Sequence, residues 1–228
     1  MRTANEANRR YFHGAYHTGE HGWAIEEPSP FILDFLKRLK RWVPGGTLLD
    51  IGCGEGRHSI AAARLGFEVT AIDFEPLALA RARRFARIKG VREIVFRKAD
   101  VFRLPFRDGC FDVALDCGCL HHQRKSDWPA YVAGLLRVLK PRGFYVLNVF
   151  SPKFRMFRGR RRPWHIGFGA YRRCFTRKGI VELFRRDFEI RTLTEERERD
   201  GGFWNALLQR RGTAQAKRLC DRGEARRA

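Results

Sequence analysis

The feature that most constrains this chain is an apolar run that breaks into three glycines at alternate positions. The stretch is Leu48-Leu49-Asp50-Ile51-Gly52-Cys53-Gly54-Glu55-Gly56-Arg57-His58. Thr47 to Ile51 predicts a short buried strand, the glycines a tight loop, and the residues from about Arg57 a helix. Without Cβ atoms, Gly52, Gly54 and Gly56 let the backbone turn sharply and come close to a ligand. The first N–H groups of the helix have no partner within it and favour an acceptor or a negative group. Asp50, at the strand end, brings a carboxylate to the same spot.

The spacing narrows the ligand. A dinucleotide site wants G-x-G-x-x-G with pyrophosphate over the helix start. Here the pattern is G-x-G-x-G, Arg57 holds the sixth place, and an acid precedes the loop. An acid repels a pyrophosphate and suits a cationic amino-acid group. A second apolar strand, Phe67 to Ile72, ends at Asp73, where a doubly wound fold keeps the carboxylate that grips ribose hydroxyls. The ligand implied has a ribose and a positively charged amino-acid part, and S-adenosylmethionine fits both.

At these residues the chain resembles the class I S-adenosylmethionine-dependent methyltransferases, over roughly Pro28 to Arg210. Asp50-x-Gly52-x-Gly54-x-Gly56 is similar to the family's first motif and Asp73 to its second. Ala99-Asp100 resembles the adenine-side acid after strand three. Phe111 to Asp116 resembles the fourth strand, and Leu139-Lys140-Pro141-Arg142-Gly143 the turn into the fifth. Arg142 departs from the pattern, standing where the family usually has glycine, in a turn remote from the ligand. The resemblance implies a single-domain, Rossmann-like α/β fold: a seven-stranded, mostly parallel sheet, helices on both faces and an antiparallel last strand. It implies S-adenosyl-L-methionine as cofactor. Asp50 and the backbone of Gly52, Cys53, Gly54 and Gly56 would hold the amino-acid part. Asp73 would meet the ribose, Ala99-Asp100 the adenine and Asp116 the reactive end, with Phe74 and Val101 also among the cofactor contacts.

The 228 residues suit one domain with a substantial core. No apolar run approaches a membrane span, and Met1 to Asn5 lack the apolar stretch of a signal peptide. Six scattered cysteines without a C-x-x-C pair point to reduced, cytoplasmic thiols. The formal charge of +21 allows a nucleic-acid partner. Arginine also crowds ordinary helix faces, however, so compositional bias explains the charge as well. No oligomeric state follows from these residues.

Along the chain, residues 1–30 are aromatic and polar and predict a short helix and a loop. In methyltransferases similar to this one such a segment folds over the cofactor; Tyr16 and Trp23 packing on the domain edge is the simpler alternative. Phe31, Ile32, Phe35, Leu36 and Leu39 form a helical stripe after Pro28-Ser29-Pro30. Arg81, Arg83, Arg84 and Arg87 predict a solvated helix face. Strand three, Glu93 to Lys98, alternates with charged residues and should be less buried than its neighbours. Ser126-Asp127 predicts a cap for the helix that follows, with Trp128, Tyr131, Val132, Leu135, Leu136 and Leu139 as its buried stripe.

The most discriminating text follows strand four: Asp116-Cys117-Gly118-Cys119-Leu120-His121-His122. Ligands of open α/β sheets bind outside the carboxyl ends of the strands, so these residues should border the transferred group. The string lacks the Asn/Asp-Pro-Pro-aromatic motif of amine methyltransferases and the Pro-Cys pair of cytosine enzymes. It is similar to the thiopurine and tellurite-resistance type of small-molecule methyltransferase. His121 and His122 carry imidazoles, which titrate in the range needed for proton removal at neutral pH, and His121, with Asp116 beside it, is the candidate catalytic residue; a helix-start hydrogen bond or a pocket wall is the alternative. C-x-C-x-H-H is not a usual zinc spacing, so no metal is assigned.

Residues 151–175 interleave arginines with Phe154, Phe157, Trp164, Phe168 and Tyr171 and predict a basic aromatic lid over the acceptor side. Thr176 to Phe184 predicts a capped helix, Phe188 to Leu193 and Phe203 to Gln209 a closing pair of strands, and 211–228 a basic, disordered tail. The methyltransferase domain then spans 31–210. The function implied is in-line methyl transfer to a small-molecule acceptor. An RNA methyltransferase using the lid, and a non-catalytic S-adenosylmethionine- or nucleic-acid-binding protein, are the rival readings.

Overall fold

The computed structural model describes residues 4–19, 21–23, 25–167, 169–196 and 202–212. Seven strands form one sheet: β1 (Thr47–Ile51), β2 (Glu68–Asp73), β3 (Ile94–Lys98), β4 (Phe111–Cys117), β5 (Leu139–Phe150), β8 (Phe188–Glu195) and β9 (Phe203–Arg210). Their order is β3-β2-β1-β4-β5-β9-β8. Pairing is parallel from β3 to β5, while β9 runs antiparallel between β5 and β8. The Rossmann-like sheet with an inserted antiparallel last strand is the one expected.

Strand alternation sends residues to two cores. Leu48, Val69, Val113, Leu115 and Val146 face α2 (Pro30–Trp42), α3 (Arg57–Arg64) and α4 (Pro76–Ile88), where Ile32, Leu36, Ala62 and Leu79 meet them. Leu49, Ile51, Ala114, Tyr145 and Leu147 face α5 (Trp128–Val138) and α6 (Arg177–Phe184), meeting Tyr131, Leu135, Ile180 and Phe184. Burial of both faces is why residues 144–150 of β5 read as a nearly unbroken apolar run. Pro30 opens α2 at a position where its missing N–H costs nothing. β3, at the sheet edge, keeps all five of its residues half-buried or exposed.

Several local expectations are corrected. β5 starts at Leu139, so the expected turn lies within the strand as an irregularity: Phe111 pairs with Leu139 but Val113 with Phe144. Arg142 there adopts φ +64°, a left-handed conformation that favours glycine, which explains the family's usual residue at that place. Asp127 holds the N-cap position of α5 without a capping side-chain bond, whereas Thr176 does cap α6 by accepting from Gly179 N. The 151–175 segment contains a hairpin of β6 (Trp164–Gly167) and β7 (Ala170–Arg173). Arg81 is not solvated; it is bound into the N-terminal segment. Phe168, residues 197–201 of the charged turn and 213–228 of the tail lie outside the described residues.

Candidate active site

The carboxyl ends of β1, β2, β4 and β5 open into one cavity of about 1220 Å³. On one side stands the glycine loop. Gly52, Gly54 and Gly56 all take positive φ, 69°, 55° and 82°. At Gly54 a Cβ would lie 2.9 Å from the Tyr16 hydroxyl, and at Gly56 3.2 Å from Ala82 and from the Phe96 ring. The first glycine requirement keeps space above the loop, and the other keeps α3 close to β3 and α4.

The two acids join this loop differently. Asp73 Oδ2 accepts from Gly54 N at 3.0 Å and Oδ1 from Glu75 N at 2.9 Å, so the loop and the end of β2 are one hydrogen-bonded unit. Burial pushes the Asp73 carboxyl up to about 6, against the opposing pull of those amides. Asp50 accepts from Ser59 Oγ at 2.5 Å, and burial pushes it up to about 7, with Ser59 opposing and the charges of Asp116 and Asp73 adding. Asp100 Oδ1 accepts from Phe102 N at 3.0 Å, closing a turn. Phe74, Ala99 and Val101 line the same side, as do Asp50, Gly52, Cys53, Gly54, Asp73 and Asp100; Gly56 does not.

A helix closes this side. α1 (Ala4–Thr18) contributes Asn8, Arg9, Phe12 and Tyr16 to the lining. Arg9 donates to Asp100 Oδ2 at 2.7 Å and its guanidinium lies 5.1 Å from the Phe74 ring centre. Asn8 donates to His122 O and accepts from Tyr171 N, both at 2.7 Å. Arg81 donates to Tyr16 O at 2.6 Å and to Glu55 at 3.0 Å. Asn8, Arg9 and Glu55 have no site role in the sequence reading, and Arg81 has only that of a solvated face; their partners lie far away along the chain, and only the aromatic character of the N-terminus hints at the contact.

The opposite side is built from aromatic rings. His121 lies flat on Phe150, ring centres 3.8 Å apart, and its Nδ1 is buried without a partner. Burial holds its imidazole well below the ordinary histidine range, with His122 and Arg172 adding to the effect. His122 bonds through Nδ1 to Tyr171 O at 2.8 Å and is pushed down to about 4 by burial. Both rings are therefore neutral at pH 7.

The family model for a methyltransferase domain matches residues 48–143. This stretch is similar to methyltransferase domains. A 2-heptyl-1-hydroxyquinolin-4(1H)-one methyltransferase of Mycobacteroides abscessus is 28% identical over 129 residues, 57% of this chain and 56% of that protein. A demethylmenaquinone methyltransferase of Thermus thermophilus is 35% identical over 141 residues, 55% of this chain and 62% of that protein. The match thus spans little more than half of these curated relatives. Among solved structures, the 1,6-didemethyltoxoflavin-N1-methyltransferase of Burkholderia thailandensis superposes with a TM-score of 0.73 over 92% of each chain at 24% identity, a likeness of fold.

One residue expected at the site, Asp116, lies away from the cavity. Asp116 is fully buried and does not line the cavity. Its carboxylate accepts from Cys119 N at 2.7 Å, Leu120 N at 3.0 Å, Tyr145 OH at 3.1 Å and the Tyr131 hydroxyl. Three of these donors meet Oδ2 and one meets Oδ1, so the carboxylate is held by the protein interior and not by the cavity. Asp116 is a positioning residue that shapes the loop carrying Cys119 and His121. Cys117 and Cys119 are free thiols, and among the described residues no group of three or more His, Cys, Asp or Glu side chains is arranged to hold a metal ion.

Proposed function

We propose that the protein is an S-adenosylmethionine-dependent methyltransferase acting on a small-molecule nucleophile. The observation that carries this is the shared cavity: the Gly54–Asp73 unit and the His121–Phe150 wall face one volume beneath α1. About 1220 Å³ exceeds the usual range for a single small ligand and leaves room for a second molecule beside the cofactor. The three proteins compared above are named as methyltransferases of a 2-heptyl-1-hydroxyquinolin-4(1H)-one, a demethylmenaquinone and 1,6-didemethyltoxoflavin, which supports a small-molecule acceptor.

The residues present fit the cofactor. Asp50 would supply a carboxylate for an ammonium group, the glycine loop bare backbone, and Asp73 a buried carboxylate at the cavity lining for a ribose. Ala99 to Val101, with Asp100 tied to Arg9, form the adenine side. S-adenosylmethionine supplies a methyl group on sulfonium, ready for in-line displacement. The chain's task is then to align the acceptor and exclude water. In this reading residues 1–30 are the cover over the cofactor and 151–175 a lid over the acceptor, with His121 as an uncharged wall. Five free cysteines among the described residues support a reducing, cytoplasmic setting. No helix of the described residues is long and apolar enough to cross a membrane.

Calorimetric titration with S-adenosylhomocysteine, with NAD as control, tests the reading. Micromolar binding of the first alone is expected; its absence overturns the proposal. An RNA acceptor would instead show binding that weakens steeply as salt rises.

A further inference from the structure

The acceptor side of the cavity holds a charge that the packing does not balance. Arg172, on β7, is only 7% exposed and lines the cavity. Its NH1 donates to Gly167 O at 2.8 Å, and its guanidinium lies 4.8 Å from the Tyr11 ring centre. Among the described residues it makes no ion pair. A buried cation without a carboxylate is costly, and such groups are normally completed by a partner.

The neighbours do not provide that partner. His121 and His122 feel the positive charge of Arg172 and stay neutral. Most of the cavity's acids are engaged elsewhere: Asp100 with Arg9, Glu55 with Arg81, Glu26 with Lys89, Asp50 with Ser59, and Glu196 with Asn205, while Glu27 is exposed and forms no ion pair with Arg172. Asp73 is held by two backbone amides. Around Arg172 the walls are flat. Phe12 meets His122 edge-on at 4.9 Å, and Phe150 carries His121 on one side and Phe154 at 4.3 Å. A guanidinium presents N–H donors in one plane, matched to an oxyanion.

We propose that Arg172 determines acceptor specificity and that the acceptor is a planar aromatic anion, its negative oxygen paired with the Arg172 guanidinium and its ring against the Phe150–His121 wall. This rests on the small-molecule methyltransferase reading. An acceptor that enters already ionised needs no protein base, which agrees with two neutral histidines in the wall. The competing account makes Arg172 a staple between the hairpin and α1, through Gly167 and Tyr11.

The test compares 2-naphthoate with 2-naphthamide, a pair of nearly equal shape that differs in charge, on protein loaded with S-adenosylhomocysteine. Wild type should bind the naphthoate about tenfold or more tighter than the amide. Arg172→Gln should abolish the preference while S-adenosylhomocysteine affinity stays unchanged, and Arg172→Lys should keep part of it. Thermal melting identifies a variant that fails to fold, in which case the lysine variant and the loss of the preference at high salt decide. Equal binding of the two probes, binding of neither at millimolar concentration, or a preference that survives in Arg172→Gln overturns the proposal. If S-adenosylhomocysteine itself does not bind, the methyltransferase reading fails first, and the same pair titrated on the unloaded protein still decides the role of Arg172.

Discussion

The hydroxyl of Tyr131, on α5, donates to the carboxylate of Asp116 at the end of β4, deep inside the domain. That contact, with those from Tyr145 and two loop amides, fixes how the chain leaves the strand toward His121. Asp116→Ala would leave four buried donors without an acceptor, at about 1–3 kcal/mol each before relaxation. We expect a stability loss of about 4 kcal/mol or more in urea unfolding, and of about 1 kcal/mol for Tyr131→Phe, which removes one donor and leaves the acceptor satisfied. Wild-type stability of Asp116→Ala would falsify the hub.

The glycine loop predicts a pH dependence. Burial raises Asp50 to about 7 and Asp73 to about 6 in the unliganded protein, from 3.8. A carboxyl whose folded value lies above its unfolded value contributes stability that is complete below about 4 and is lost as pH rises through 6 to 7. Cofactor binding has the opposite trend, because an ammonium group needs Asp50 ionised. Affinity for S-adenosylhomocysteine should therefore rise between pH 5 and 7.5, by up to about tenfold per unit below the Asp50 value. Calorimetry across this range, in buffers of different ionisation heat, should show proton release on binding. Asp50→Asn should bind more weakly and with a flatter profile; an unchanged profile would remove Asp50 from the site.

How far the sequence reveals this arrangement depends on the range of the interaction. Thr47–Ile51, the positive-φ glycines and the helix from Arg57 are set by near neighbours and stand where local pattern puts them. Asp116 reads as a reactive-end acid because its place at the end of β4 is local information. The donors that occupy it come from Tyr131 and Tyr145, and no periodicity reports that both hydroxyls converge there. The same applies to Asn8, whose partners are His122 and Tyr171. The hairpin of β6 and β7 was hidden for another reason: arginines at 172 and 173 blur the alternation that marks a strand, although Arg172 is itself buried.

His121 offers a test of wall against catalyst. Its ring is stacked on Phe150 and burial keeps it neutral, so proton removal by an imidazole in its ordinary range is not available. His121→Phe preserves the stacking and removes the unpartnered Nδ1, whereas His121→Ala removes both. If the ring is a wall, the phenylalanine variant keeps kcat within about threefold and the alanine variant loses about tenfold or more, with S-adenosylhomocysteine affinity unchanged in both. A collapse of kcat in His121→Phe, together with loss of an inflection in the pH–rate profile, would restore a proton-transfer role.

The link between Arg9 and Asp100 should act on rates more than on stability. Both side chains are partly exposed, 40% and 30%, and such a pair contributes about 1 kcal/mol or less to folding. Its position is what gives it consequence, because it joins the middle of α1 to the turn after β3 across the mouth of the cavity. Arg9→Ala should loosen that edge and speed dissociation of S-adenosylhomocysteine by about fivefold, the factor that 1 kcal/mol corresponds to, with little change in melting temperature. Asp100→Asn should weaken the same link while its side chain still accepts from Phe102 N, so the double variant should dissociate no faster than Arg9→Ala alone. High salt should raise the wild-type rate toward that of the variants. Additive effects of the two substitutions, or a wild-type rate indifferent to salt, would mean that α1 is held over the cavity by its buried contacts through Asn8 and Tyr16 without help from this pair.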